Sequence, residues 1–182
     1  MIWLLAFLLA APTAQWNRDW NYAFRMAKAE HRLVAVQYTQ TEARCPPCWQ
    51  MTNVYLAPPY VHGHISDYVL LRLDPDISAI PLKHRYATPA FVIFDWHERE
   101  LFRIDGEHLR VDDWHLPSGA YPFSAALDTF SREERSFVKA AELVDDGRDA
   151  EANRLLADTY DRLHMWKHAQ AAAKLVKNFS SP

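Results

Sequence analysis

Cys45 and Cys48, separated by Pro46 and Pro47, are the only two cysteines in a chain of 182 residues. Their setting constrains the fold more than any other stretch. Before them, Leu33-Val34-Ala35-Val36-Gln37-Tyr38 is apolar except at Gln37, which predicts a central strand covered on both faces. After them, Trp49 to Leu56 predicts a helix that ends near Ala57, because Pro58 and Pro59 cannot continue it. A strand thus delivers one thiol to the start of a helix, where the helix dipole and free N–H groups favour a thiolate. The second thiol lies about one turn on and can reach back to close a disulfide. Half a zinc site has the same spacing, but a zinc ribbon needs more thiolates than two unless histidines complete the set. A bridge closing so short a loop removes little unfolded-state entropy, so stabilisation alone explains the pair poorly. Redox chemistry explains it better.

Bulk properties narrow the alternatives. The length fits one domain, or one domain with an appendage. A hydrophobic content of 49% supplies a core, and a net charge of −3 gives no electrostatic case for nucleic acid. Only four glycines are present, and there is no glycine-rich phosphate loop. No Gly-x-Ser-x-Gly elbow supports serine hydrolysis. Residues 1–14 open with an apolar run that is too short to span a bilayer, which takes about 20 residues. The run suits a signal peptide with small residues near Ala11 and Ala14, although no Lys or Arg precedes it; a short anchor or a buried helix are the alternatives. Export to the periplasm or cell envelope would place the dithiol in an oxidising compartment.

Along the rest of the chain, Trp16 to His31 predicts an amphipathic helix, with Trp16, Trp20, Ala23, Phe24 and Ala27 on one face. Val61 to Ser66 is expected as a connector, Tyr68 to Leu73 as a strand, and Ile77 to Arg85 as a short helix interrupted by Pro81. Ala90 to Phe94 and Glu100 to Ile104 predict an antiparallel pair, with Pro89 at the opening of the first strand and adjacent Leu101 and Phe102 breaking alternation in the second. His108 to Pro122 is expected as an irregular loop. From Phe123 the chain turns helical. Ser131-Arg132-Glu133-Glu134 has the form of a capping box, and helices follow to Asp146, from Asp149 to about Leu163, and from Trp166 to Phe179. The last two suggest a helical hairpin of the tetratricopeptide kind, which alone falls short of the usual three repeats and reads as a cap or docking surface.

This order, with Cys45-Pro46-Pro47-Cys48 after a strand and Thr88-Pro89 before another about 40 residues on, resembles the thioredoxin superfamily from about Trp16 to Gly106. The similarity is greatest to thioredoxin-like proteins of the bacterial envelope. It implies an α/β thioredoxin-like fold, a central mixed sheet flanked by helices, across residues 15–122, with a helical extension at 123–182. It implies that Cys45 attacks, that Cys48 resolves the mixed disulfide, and that Pro89 is cis, with Thr88 offering backbone groups to a substrate strand. No organic cofactor is implied beyond the Cys45–Cys48 disulfide. The implied partners are protein thiols or disulfides and an upstream redox protein, with protein docking on the last helices a further expectation.

Two departures from the family pattern bear on the chemistry. Arg44 stands where many members have Trp, and Gln37 stands where many have a buried acid. Pro46 and Pro47 lack N–H groups, so the helix start offers fewer donors to Cys45, and Arg44 partly offsets this by its charge. The expected Cys45 pKa is below that of a free thiol but well above the superfamily extreme of roughly 3.5. A scaffold that docks a partner through its C-terminal helices, and Cu(I) delivery through Cys45 and Cys48, are the alternative functions. No metal site is expected: His62-Gly63-His64 and the pair His164 and His168 lack the acidic partner of a zincin motif.

Overall fold

The apolar segment Val34–Tyr38 forms β1, and all five of its residues are buried. A strand hidden on both faces must have neighbours on both edges and layers above and below. The computed structural model, which describes residues 15–41, 44–57, 59–105, 110–111, 114–115 and 120–179, supplies them. β1 pairs in parallel with β2 (Val69–Leu73) and antiparallel with β3 (Ala90–Phe94). The sheet continues through β4 (Glu100–Asp105), β5 (Arg110–Val111) and β6 (Trp114–His115), in the order β2-β1-β3-β4-β5-β6.

Alternation along β1 sorts the core into two layers. Val34, Val36 and Tyr38 pack beneath α1 (Trp20–Glu30) with Trp20, Phe24 and Phe94. Leu33 and Ala35 face the other way, towards Met51, Tyr55, Phe91 and Phe123. That second face is covered by α2 (Pro46–Gln50), which runs on as a π-helical turn at Met51–Tyr55, by α3 (Pro59–Ile65) and by α4 (Ala120–Ser131). Parallel β1 and β2 joined through helices, antiparallel β3 and β4, and helices on both faces make the architecture thioredoxin-like.

The helical extension is α5 (Glu134–Asp145), α6 (Asp149–Arg162) and α7 (Trp166–Phe179). Phe137, Leu156, Tyr160 and Met165 belong to the same apolar cluster as the sheet residues Phe91 and Phe102. Rings pass the contact along: Phe102 lies 4.9 Å from Phe130, and Phe130 lies 4.6 Å from Phe137. At the far end of α5, Asp145 accepts from Trp96 Nε1 at 2.8 Å and pairs with Lys28 at 3.4 Å. The extension is therefore built into the core of the sheet domain. Among the described residues, no helix is long and apolar enough to cross a membrane.

Several sequence expectations are corrected. The first helix begins at Trp20, not Trp16. Asp19 caps it by accepting from the Tyr22 N–H at 2.9 Å, while Asn17 bridges to Leu71 in an extended conformation. Trp16 thereby leaves the α1 face and packs on the opposite layer. Val61 to Ser66 belongs largely to α3, which starts at Pro59, because a proline that cannot continue one helix can open the next. Between Ile77 and Arg85 only Leu82–His84 forms a 3-10 turn, after Pro81. The adjacent apolar pair Leu101 and Phe102 is accommodated by a bulge: Phe94 pairs with Glu100 and Ile93 with Phe102, so both side chains are buried.

The segment expected as an irregular loop carries β5 and β6, and α4 starts at Ala120, ahead of Phe123. The capping box does not form. Ser131 ends α4, its Oγ donating to Asp128 O at 2.9 Å, and Glu133 precedes α5 without a side-chain cap. Residues 1–14, Glu42 and Gly106 lie outside the described residues.

Candidate functional site

β1 and β2 both finish at the same end of the sheet, and β3 starts there. Thr39 N–H still bonds to Leu73 O at 2.8 Å, and Tyr38 pairs with Ala90. Residues 39 and 89 thus leave the sheet side by side. The loop after Thr39 tightens into a turn in which Thr41 O accepts from the N–H groups of Arg44 and Cys45, at 2.9 and 3.2 Å. That turn sets Cys45 as the N-cap of α2, with Pro46 and Pro47 in the first turn. Proline is favoured there because its φ suits a helix start and its missing N–H would have had no helical partner.

Cys45 and Cys48 are joined in a disulfide. Cys45 is 6% exposed and Cys48 1%, so the first residue is slightly more open to solvent than the second. Among the first amides of the helix, only Cys48 N–H points at Cys45 Sγ, at 3.2 Å, because the two prolines between have none. The Gln40 N–H faces Cys48 Sγ at 3.4 Å. Each sulfur therefore has one backbone donor to stabilise a thiolate after reduction. Arg44 is exposed beside the pair and, among the described residues, forms no ion pair with a carboxylate.

The Thr88–Pro89 bond is cis; Pro89 is buried and Thr88 half-buried. Because Ala90 pairs with Tyr38, Thr88 and Pro89 reach the same end of the sheet as the dithiol loop. Trp49, 46% exposed, and Ile77, 82% exposed, add apolar surface at this end.

Beneath the dithiol runs a polar chain whose joint partners sequence reasoning did not identify. Gln37 is wholly buried on the α2 side of β1. Its Nε2 donates to Thr52 Oγ1 at 2.6 Å, and Thr52 Oγ1 donates to Cys48 O at 3.0 Å. Its Oε1 accepts from Arg72 Nε at 2.8 Å. The Arg72 guanidinium also lies 4.7 Å over the Trp16 ring. Burial, assisted by the charge of Arg18, pulls the Arg72 pKa down, and at neutral pH the guanidinium remains charged. An amide carries no acidic proton near neutrality, so Gln37 fixes the geometry of α2 rather than exchanging protons. The available signal was the polar residue in an apolar strand together with Arg72 directly across from it in register.

A second buried cluster lies at the other end of the sheet. Asp95 accepts from the N–H groups of His97 and Arg99, and from Arg99 Nε at 2.6 Å, which ties the β3–β4 turn together. These hydrogen bonds hold the turn, and the same carboxylate lies within electrostatic range of Tyr160 in α6. Among the described residues, no group of three or more His, Cys, Asp or Glu side chains stands close enough to hold a metal. The side chains of His62 and His168 lie outside the described residues.

Among solved structures, the chain is similar to one described as DsbH oxidoreductase, at 16% identity, covering 69% of this chain and 89% of that one, with a TM-score of 0.49. It is also similar to a thioredoxin from Thermus thermophilus, at 19% identity, covering 67% and 91%, again with a TM-score of 0.49. No family model and no curated protein matches the chain.

Proposed function

We propose that the chain is a thiol–disulfide oxidoreductase acting on protein thiols or disulfides through Cys45 and Cys48. The observation that carries this reading is the placement of a disulfide at a helix N-cap, with one backbone donor on each sulfur, at the end of the sheet reached by Thr88-Pro89. A disulfide spanning only two intervening residues contributes little to stability, which leaves chemistry as its use.

In the reducing direction the Cys45 thiolate attacks a substrate disulfide. One substrate sulfur leaves as a thiolate and takes up a proton, and a Cys45–substrate disulfide forms. Cys48 then loses its proton to solvent and attacks Cys45 Sγ. The second substrate thiolate leaves, and the protein disulfide is restored. Two electrons pass from the dithiol to the substrate, and a separate dithiol protein returns them. With Gln37 in place of an acid, no carboxylate among the described residues is bonded into the chain beneath Cys48 to receive its proton. Resolution of the mixed disulfide should therefore follow the Cys48 thiolate fraction, without an additional carboxylate step in its pH profile.

The substrate strand is assigned to the backbone of Thr88, with Trp49 and Ile77 as flanking apolar surface. Arg44 is assigned the role of favouring the Cys45 thiolate by its charge. The apolar run at the start of the chain supports an exported protein of the cell envelope. The direct test is Cys48→Ser, which should accumulate Cys45-linked mixed disulfides with client proteins, while Cys45→Ser accumulates none. Equal behaviour of the two variants, with no exchange by the parent protein, would leave a scaffold function in place of this one.

A further inference from the structure

Beside the dithiol loop is an open groove of about 250 Å³ whose lining includes Arg18, Arg72, Thr39, Gln40 and Thr41. We infer that this groove is a carboxylate-binding subsite that selects disulfide substrates carrying an anionic group next to the scissile sulfur. The inference rests on the redox reading above and adds a substrate class to it.

Three observations carry it. The first is charge. Arg18 and Arg72 come close to each other, and among the described residues neither forms an ion pair with a carboxylate. Asp74 also lines the groove, but its Oδ1 accepts from Asp76 N–H at 3.0 Å, and the Asp76 carboxylate accepts from Gln40 Nε2 at 2.7 Å. Both aspartates keep their charge, but neither carboxylate lies within 4.0 Å of Arg18 or Arg72; the two guanidiniums repel each other, and a carboxylate placed between them would relieve this.

The second is order. Arg72 is held by its stack on Trp16 and by its bond from Nε to Gln37, so its orientation is fixed before any ligand arrives. Of the five guanidinium N–H donors, Nε uses one, and the terminal nitrogens form no hydrogen bond among the described residues, which leaves them for a planar acceptor. The third is position. Gln40 lines the groove and its own N–H faces Cys48 Sγ at 3.4 Å, so a group seated there is a residue or two from the reacting sulfurs. Ile77 also lines the groove and is largely exposed. The space is below the roughly 300–1,000 Å³ of sites for drug-sized ligands, and suits one acidic side chain or the carboxylate end of a small thiol.

The test compares rates of reduction of oxidised glutathione, which is anionic, hydroxyethyl disulfide, which is neutral, and cystamine, which is cationic. The same comparison is made for cystine peptides flanked by Glu or by Lys. The parent protein should prefer the anionic member of at least one series, and Arg18→Ala should lower that preference about fivefold, the upper range for an exposed guanidinium–carboxylate pair. Arg25→Ala, which removes the same charge from an exposed site on α1, should leave the preference intact. Preference only in the small disulfides assigns the subsite to a low-molecular-weight thiol, and preference only in the peptides assigns it to an acidic protein segment.

No preference in either series, or an equal loss in Arg25→Ala, overturns the subsite. A second readout is independent of turnover. S-methylglutathione, which has no thiol, should shift the NMR signals of Arg72 Nε–H and Gln40 N–H in the oxidised protein, and should do so less in Arg18→Ala. If no disulfide is reduced the redox reading fails, and this titration decides the subsite alone, absence of a shift overturning it.

Discussion

Replacing Gln37 with Leu isolates the polar chain under the dithiol. Leu fits a buried strand and approximates the Gln side chain in size, so packing changes little. What is lost is the acceptor for Arg72 Nε at 2.8 Å and the donor to Thr52 Oγ1 at 2.6 Å. A hydrogen bond to a charged group contributes about 1.5–3 kcal/mol and a neutral one about 1 kcal/mol. Arg72 is only half-buried and borders an open groove, so water recovers part of its loss. Thr52 keeps its bond to Cys48 O. The expected destabilisation is about 2 kcal/mol. In urea, with a slope of about 2 kcal/mol/M, the unfolding midpoint of the oxidised protein should fall by about 1 M with the slope unchanged. The rate of disulfide exchange at saturating pH should change by less than about threefold, because the amide moves no proton. A variant as stable as the parent would refute the energetic role given to this chain. A large loss of exchange rate with unchanged stability would refute its separation from the chemistry.

Three further predictions address the frame. Phe123→Ala should cost about 3–5 kcal/mol, read as a lower urea midpoint, because Phe123 is fully buried and its ring lies 5.8 Å from Tyr55 and 5.5 Å from Phe91. Asp19→Ala should cost about 1 kcal/mol in thermal unfolding by removing the cap of α1, and Asp19→Asn should restore most of it. The Glu133 carboxyl is held below its ordinary range by the hydrogen bonds from Arg162, with burial opposing. Its stabilisation is therefore complete above that range and is lost as the pH falls through the depressed value. Arg162→Gln should lower stability by about 0.5–1 kcal/mol at pH 7 and by progressively less in acid, which paired melts at the two pH values would show.

The central strands were legible because short, mainly apolar runs bounded by turn residues have few alternatives: β1, β2 and β3 lie within one residue of their expected starts. The start of α1 was not legible from periodicity, since Trp16 sits at helical spacing from Trp20. Only the pairing of Asn17 with β2 keeps it extended, and that is a long-range contact. Ser131 was misread for a related reason. Its local pattern fits a cap, but α4 continues through it to bury Phe130 against Phe102 and Phe137.

At the site, the cysteines and Thr88-Pro89 were visible as local motifs. The partnership of Gln37 with Arg72 and Thr52, and the approach of Arg18 to Arg72, were not, because each joins residues from separate elements. The extension could be read as helices from its periodicity. Its sharing of one apolar cluster with the sheet depends on the aromatic contacts of Phe123, Phe130 and Phe137, whose partners a pattern does not name.

The most direct test of the central claim is the reduction potential of Cys45–Cys48, measured by equilibrating the protein with glutathione redox buffers and counting free thiols by mass after alkylation. A single reversible two-electron transition between about −270 and −120 mV, the span of thioredoxin-fold catalysts, is the result expected of an exchanging dithiol. A disulfide that stays oxidised to below about −300 mV behaves as a structural bridge and would contradict the account.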